Sequence, residues 1–172
     1  LREPLKNLGR ADLFIISHCN QSKKQIIKSI YTKLNYVNND APVCESIHRP
    51  VHIESMTDGS ILGPEWLMGK RIYGLSAIGN PESFTYTLKG LGADLIKHRK
   101  FHDHHNYNRE EMGYIVSEAR SLDADAIVVT QKDIVKIRKM DIKDFNILSL
   151  KIEMQITKGI KLYKKAIDRV LT

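Results

Sequence analysis

Three short, largely apolar runs constrain this chain more than any other feature: Ala11-Asp-Leu-Phe-Ile-Ile-Ser17, Arg71-Ile-Tyr-Gly-Leu-Ser76 and Ala126-Ile-Val-Val-Thr130. A strand with one wet face alternates apolar and polar residues. A run without alternation is buried on both faces, as in a parallel sheet covered by helices. Between the runs the apolar spacing becomes helical, at Ile26, Ile27, Ile30, Tyr31 and Leu34, and again at Met112, Ile115, Val116, Ala119 and Leu122. The expected class is therefore α/β, a mainly parallel sheet with helices on its faces, in one region spanning 1–172.

Local signals place the ends of the elements. Ser22 is expected to cap the first long helix. Asn80 is expected to cap a helix with Pro81 at its first position, ending at Gly90 or Gly92. Asn108 with Glu111 three residues on reads as a capping box. Val43–His48 and Val51–Glu54 read as strands separated by Pro50, residues 94–97 as a short strand and Ile134–Lys139 as helix. Ile147–Ile152 reads as a final strand, and 157–172 as a basic amphipathic helix capped by Thr157. Its apolar side carries Ile160, Tyr163, Ile167, Val170 and Leu171.

Three polar loops follow expected strands: Ala77–Pro81, His102–Asn106 and Thr130–Asp133. Ligands collect at the carboxyl ends of parallel strands, so the three are expected to converge. His102-Asp103-His104-His105 is the densest group of reactive side chains in the chain. Adjacent residues rarely all reach one ion, so one imidazole oriented by one carboxylate suits it better than a metal centre, and no metal ligands are assigned. Gly79 allows close backbone approach, and Thr130-Gln-Lys-Asp133 offers a hydroxyl, a cation and a carboxylate.

The net charge is +7, and from Lys132 to Thr172 there are 11 basic against 5 acidic residues. That excess points to an anionic partner, with a membrane surface favoured over nucleic acid, for which no motif is present. Cys19 and Cys44 are too few and too far apart for a disulfide framework, which fits a cytoplasmic setting. No apolar run approaches the roughly 20 residues that span a bilayer. Gly63-Pro-Glu-Trp-Leu-Met-Gly-Lys-Arg71 only imitates a phosphate-binding loop: it has one residue too many between the glycines, Arg71 where a Ser or Thr must reach magnesium, and a strand after it instead of before. The first residue is Leu1, so either a segment has been removed or the chain is a piece of a longer one.

Taken together, the segments resemble the C-terminal half of the tetraacyldisaccharide 4′-kinases, P-loop-kinase-like enzymes of lipid A biosynthesis. The matching pieces are Leu1-Arg2-Glu3-Pro4-Leu5 with Arg10-Ala11-Asp12, Ile78-Gly79-Asn80-Pro81 with Phe84, Asp103-His104-His105 with Tyr107, and Thr130, Lys132-Asp133, Val135 and Lys136. The resemblance implies transfer of the ATP γ-phosphate, with Mg2+, to the 4′-hydroxyl of a lipid A disaccharide 1-phosphate at the cytoplasmic side of the inner membrane. It also implies that the residues binding ATP and Mg2+ lie in an N-terminal half upstream of Leu1. What it carries onto this chain is His104 as the catalytic histidine, oriented by Asp103. Asn80, Lys132, Asp133 and Arg2 are expected to position substrate or phosphate. Gln131 stands where the family usually has Glu, and Ala77 where it often has Gly. The rival readings are a metal-dependent phosphoesterase using His102–His105, and a non-catalytic remnant that binds anions or lipid.

Overall fold

The computed structural model describes residues 4–140, 142 and 144–171. By contacts the chain divides into two compact units, 1–49 with 154–172, and 50–153. Two long strands, β2 (Val43–Ser55) and β7 (Ile147–Lys158), contribute residues to both.

In the smaller unit, β1 (Phe14–Ile16) pairs in parallel with the start of β2, Phe14 opposite Val43 and Ile16 opposite Glu45. Helix α1 (Lys24–Val37) begins at Lys23 without a side-chain cap. The expected cap, Ser22, instead donates its hydroxyl to the His18 carbonyl. Helix α5 spans Ile160–Leu171 and starts later than the sequence suggested, because β7 continues through Thr157 and Lys158. Ile152, Met154 and Ile156 alternate with polar residues, the strand period, and Thr157 donates to the Glu45 carbonyl instead of capping a helix. Gly159 makes the turn between them at φ +82°, with Cys44 so close that an added Cβ would meet its sulfur at 2.8 Å.

The larger unit holds the core. Its strands run in the order β2, β7, β6 (Ala126–Thr130), β4 (Arg71–Ser76) and β5 (Asp94–Lys100), with the short β3 (Ile61–Leu62) antiparallel on β2. The β4/β5, β4/β6 and β6/β7 pairs are all parallel. Each central strand is buried on both faces, which is why its sequence lacks alternation. Ile72, Ala126, Val128, Leu148 and Leu150 pack with Phe84 and Leu88 of α2 (Pro81–Gly90). On the opposite face, Tyr73, Leu75, Ile127, Val129 and Ile147 pack with α3 (Arg109–Ser121) and α4 (Gln131–Ile137). Burying each such Ile or Leu contributes about 1.5–3 kcal/mol.

Two expectations change here. Pro50 does not divide β2, which runs unbroken from Val43 to Ser55. The β1 ladder opposes residues 43–45 and the β3 ladder residues 53–54, so the N–H that Pro50 lacks is missing from neither. Strand β5 is longer than expected and carries an irregularity: Ile72 opposes Leu95 but Tyr73 opposes Lys97, leaving Ile96 as the extra residue. The bulge switches which face later residues point to, and both Leu95 and His98 come to lie beside Gly74.

Candidate functional site

The parallel register brings the carboxyl ends of β4, β5 and β6 to one edge of the larger unit, and the three expected loops do converge there. After β4, the Ala77 N–H donates to Asp133 Oδ2 at 3.1 Å, which ties this loop to the start of α4. Gly79 lies beside the histidine loop, with an ideal Cβ 3.6 Å from Asp103 Oδ2. Asn80 caps α2 by accepting from the Ser83 N–H at 3.3 Å, and Pro81 occupies the first turn, where its missing N–H leaves no helical bond unmade.

The histidine loop is a tight turn closed by a hydrogen bond from the His105 N–H to the His102 carbonyl at 3.1 Å. His104 sits in the left-handed region at φ +65°, a conformation that costs a non-glycine residue about 1 kcal/mol or more. Its side chain is 84% exposed, and its Nε2 lies 3.7 Å from Asp103 Oδ2. Asp103 Oδ1 also accepts the His104 N–H at 3.1 Å, so this carboxylate orders the backbone of its neighbour, whose ring faces it from beyond hydrogen-bonding distance.

His105 is held quite differently. Its ring stacks on Phe101 at 4.3 Å, meets the Tyr107 ring edge-on at 5.1 Å and pairs through Nε2 with Glu111 Oε2 at 2.7 Å. Its carbonyl accepts from Lys136 Nζ at 2.7 Å. With its ring and Nε2 engaged, His105 anchors the loop, while His102 and His104 are exposed. The Glu111 carboxylate, read from sequence as part of a capping box, is turned to His105, while Asn108 still caps α3 through the Glu111 N–H at 2.8 Å.

At the third loop Thr130 caps α4. Its hydroxyl donates to Asp133 Oδ2 at 2.6 Å and accepts from the Asp133 N–H at 3.3 Å. Asp133 is wholly buried. Its second oxygen, Oδ1, and the Tyr107 hydroxyl are both buried without a hydrogen-bond partner. Burial, and then the neighbouring Asp133 carboxylate, push the Tyr107 phenol far above its usual range, so it remains a proton donor. Lys132 is exposed on the first turn of α4. Gln131 Oε1 accepts from the Ile152 N–H at 3.3 Å, a task for which an amide oxygen serves as well as a carboxylate. Arg2 lies outside the described residues.

Sequence reasoning did not find the polar cluster beneath this edge. His98 bridges Ser76 Oγ at 2.9 Å and Thr85 Oγ1 at 2.7 Å, beside the ring of Phe84. Burial, reinforced by Lys100, lowers its pKa to about 4, so it is neutral at pH 7. Only the β5 bulge turns it inward, and no local sequence pattern reports that.

The loop that imitates a phosphate-binding motif lacks the geometry of one. Within Gly63–Arg71, residues Pro64–Leu67 form a 3-10 turn that feeds into β4, so no helix N-terminus faces a phosphate there. No group of three His, Cys, Asp or Glu side chains among the described residues could hold a metal ion, and His104 and His105 serve separate partners. That donor arrangement disfavours the phosphoesterase reading.

The family model for the tetraacyldisaccharide-1-phosphate 4′-kinases matches residues 1–172. A tetraacyldisaccharide 4′-kinase of Halothermothrix orenii is 32% identical over 154 residues, covering 84% of this chain and 40% of that protein. One from Anaeromyxobacter sp. (strain Fw109-5) is 31% identical over 170 residues, covering 99% of this chain and 45% of that protein. The crystal structure of the "apo" form of LpxK from Aquifex aeolicus in complex with ATP matches with a TM-score of 0.59 at 21% identity, covering all of this chain and 46% of that one. The chain thus spans somewhat under half the length of these relatives while matching them along most or all of its own. It belongs to the tetraacyldisaccharide-1-phosphate 4′-kinase family.

Proposed function

We propose that this chain is the C-terminal part of an enzyme that transfers the γ-phosphate of ATP to the 4′-hydroxyl of a tetraacyldisaccharide 1-phosphate, giving lipid IVA. The observation that carries the reading is the exposed His104–Asp103 pair at the convergence of three loops, in a chain of this family. Nucleotide and Mg2+ are assigned to another portion of the protein, as the family resemblance implies. What remains for this chain is the acceptor. The His104 imidazole, beside Asp103, can take a proton from a sugar hydroxyl as the new P–O bond forms and the bond from the γ-phosphorus to the departing ADP oxygen breaks, and Asn80 and Lys132 border the same edge to orient the phosphorylated substrate. Arg2 keeps its proposed substrate role from the family motif.

The partner surface is proposed to be an anionic membrane at the cytoplasmic side of the inner membrane. Helix α5 supports this: Ile160, Leu162 and Ile167 are exposed beside Lys161, Lys164 and Lys165. No helix among the described residues is long and apolar enough to cross a bilayer. Reversing the charge of Lys161, Lys164 and Lys165 together should weaken sedimentation with anionic vesicles, by about tenfold at physiological salt. Unchanged sedimentation removes the membrane role.

The deciding experiment incubates the full-length protein with γ-labelled ATP, Mg2+ and tetraacyldisaccharide 1-phosphate in mixed micelles. Label in the lipid is the expected result. Hydrolysis of ATP without lipid labelling, or no reaction at all, would overturn the assignment.

A further inference from the structure

Two helices that start at the candidate site carry an acidic residue three positions after the cap. In an ordinary capping box that acid returns to the N–H of the cap residue. Here both carboxylates are turned to a neighbouring loop: Glu111 to the His105 ring, and Asp133 to the Ala77 N–H. Asp133 is also tied to Thr130, so one carboxylate joins the end of β4 to the end of β6.

Its remaining oxygen indicates a third link. Three buried side-chain polar atoms lack a partner among the described residues, and two of them are Asp133 Oδ1 and the Tyr107 hydroxyl. A buried donor or acceptor left unmatched costs about 1–3 kcal/mol. A phenol and a carboxylate in one buried pocket complete each other by a small approach or through a single water. Tyr107 in turn packs on His105 and Phe101 in the histidine loop.

We infer that Asp133 is a positioning residue: through the Ala77 amide on one side and the Tyr107 hydroxyl on the other, it holds the loop after β4 and the histidine loop in a fixed relation. The two loops meet where Gly79 faces Asp103, so any slip between them displaces Asp103 and, through the His104 N–H that Asp103 accepts, the neighbouring His104. Being fully buried, Asp133 acts through these loops and not on substrate. Its consequence for turnover rests on the kinase reading above; its grip on the loops does not.

The test uses Tyr107→Phe, which keeps the ring stack and removes one hydroxyl, and Asp133→Asn, which keeps the shape and removes the charge, both in the full-length protein. Tyr107→Phe is expected to lower kcat about tenfold, with KM for ATP and for lipid unchanged within about twofold, because a displaced reacting group costs rate and not binding. Asp133→Asn should lower kcat further, and the double variant should be no worse than Asp133→Asn alone, since the phenol acts through the carboxylate. A kcat within about twofold of the parent in Tyr107→Phe, or effects that multiply in the double variant, would overturn the inference. If Asp133→Asn does not fold, Tyr107→Phe alone decides. NMR provides an arm independent of activity: the His104 ring resonances should move in Tyr107→Phe, and unmoved resonances also overturn the proposal. Should the parent protein transfer no phosphate, the kinase reading fails, and the His104 resonances still decide whether Asp133 and Tyr107 hold the loop.

Discussion

The two edges of the parallel strands in the larger unit use similar residues to opposite ends. At the amino edge, Arg71 is matched locally. The Arg71 N–H donates to Asp125 Oδ2 at 2.7 Å, and its guanidinium donates to the carbonyls of Asp123 at 3.0 Å and Leu122 at 2.7 Å while facing Asp94 at 3.8 Å. At the carboxyl edge, a histidine stands exposed, and a buried acid ties two loops together. Left-handed backbone occurs at both edges, at Asp123 (φ +50°) and at His104 (φ +65°). Hydrogen bonds that close on themselves stabilise a fold, whereas a side chain left exposed on a loop is free to meet a ligand. On the proposed function the amino edge is structural and the carboxyl edge chemical, although both are loops joining the same strands and helices.

This contrast breaks most readily at His104. Replacing it by glycine should lower kcat for phosphate transfer by about a hundredfold or more while raising stability by up to ~1 kcal/mol, because glycine adopts the left-handed backbone without strain. Steady-state kinetics and urea unfolding of the same sample check both halves. If stability falls and kcat is unaffected, His104 belongs with the structural edge.

The next largest effect comes from His98, between the edges. Its pKa in the folded state, about 4, lies below the usual 6.5 of an unfolded chain. The unfolded chain therefore takes up the proton first as the pH falls. The stability this residue contributes is complete above about pH 6.5 and drains away towards pH 4, by on the order of 2 kcal/mol. His98→Gln should flatten the dependence of the urea midpoint on pH across this window, and an unaltered slope would show that another group governs it.

Arg71→Ala sharpens the contrast from the amino edge. It should destabilise the protein by about 1–2 kcal/mol, since two backbone carbonyls lose a charged donor at a partly exposed site, and leave kcat unchanged. A loss of kcat without a loss of stability would contradict the division of labour.

Smallest is Asn80, which sits at the chemical edge and performs a structural task. Asn80→Ala should cost about 1 kcal/mol by removing the cap of α2, and Asn80→Asp should restore it. If Asn80→Asp restores stability but still raises KM for the phosphorylated lipid, the side chain touches substrate as well as capping the helix. Full recovery of both confines it to the cap.

Much of this was written into local sequence. The unbroken apolar runs at Arg71–Ser76 and Ala126–Thr130 place both strands within a covered parallel sheet, because only burial on two faces removes the need for alternation. Asn80 and Asn108 mark their helix starts, because a cap is an interaction over three residues. The convergence of three loops follows from parallel strand direction alone. What local pattern could not decide was which of two adjacent histidines is anchored and which is open, where Glu111 and Asp133 direct their carboxylates, and that His98 faces inward. Each depends on a partner from a different loop or helix, or on a one-residue bulge in β5, and only the packed structure brings those groups within the few ångströms over which hydrogen bonds and burial act.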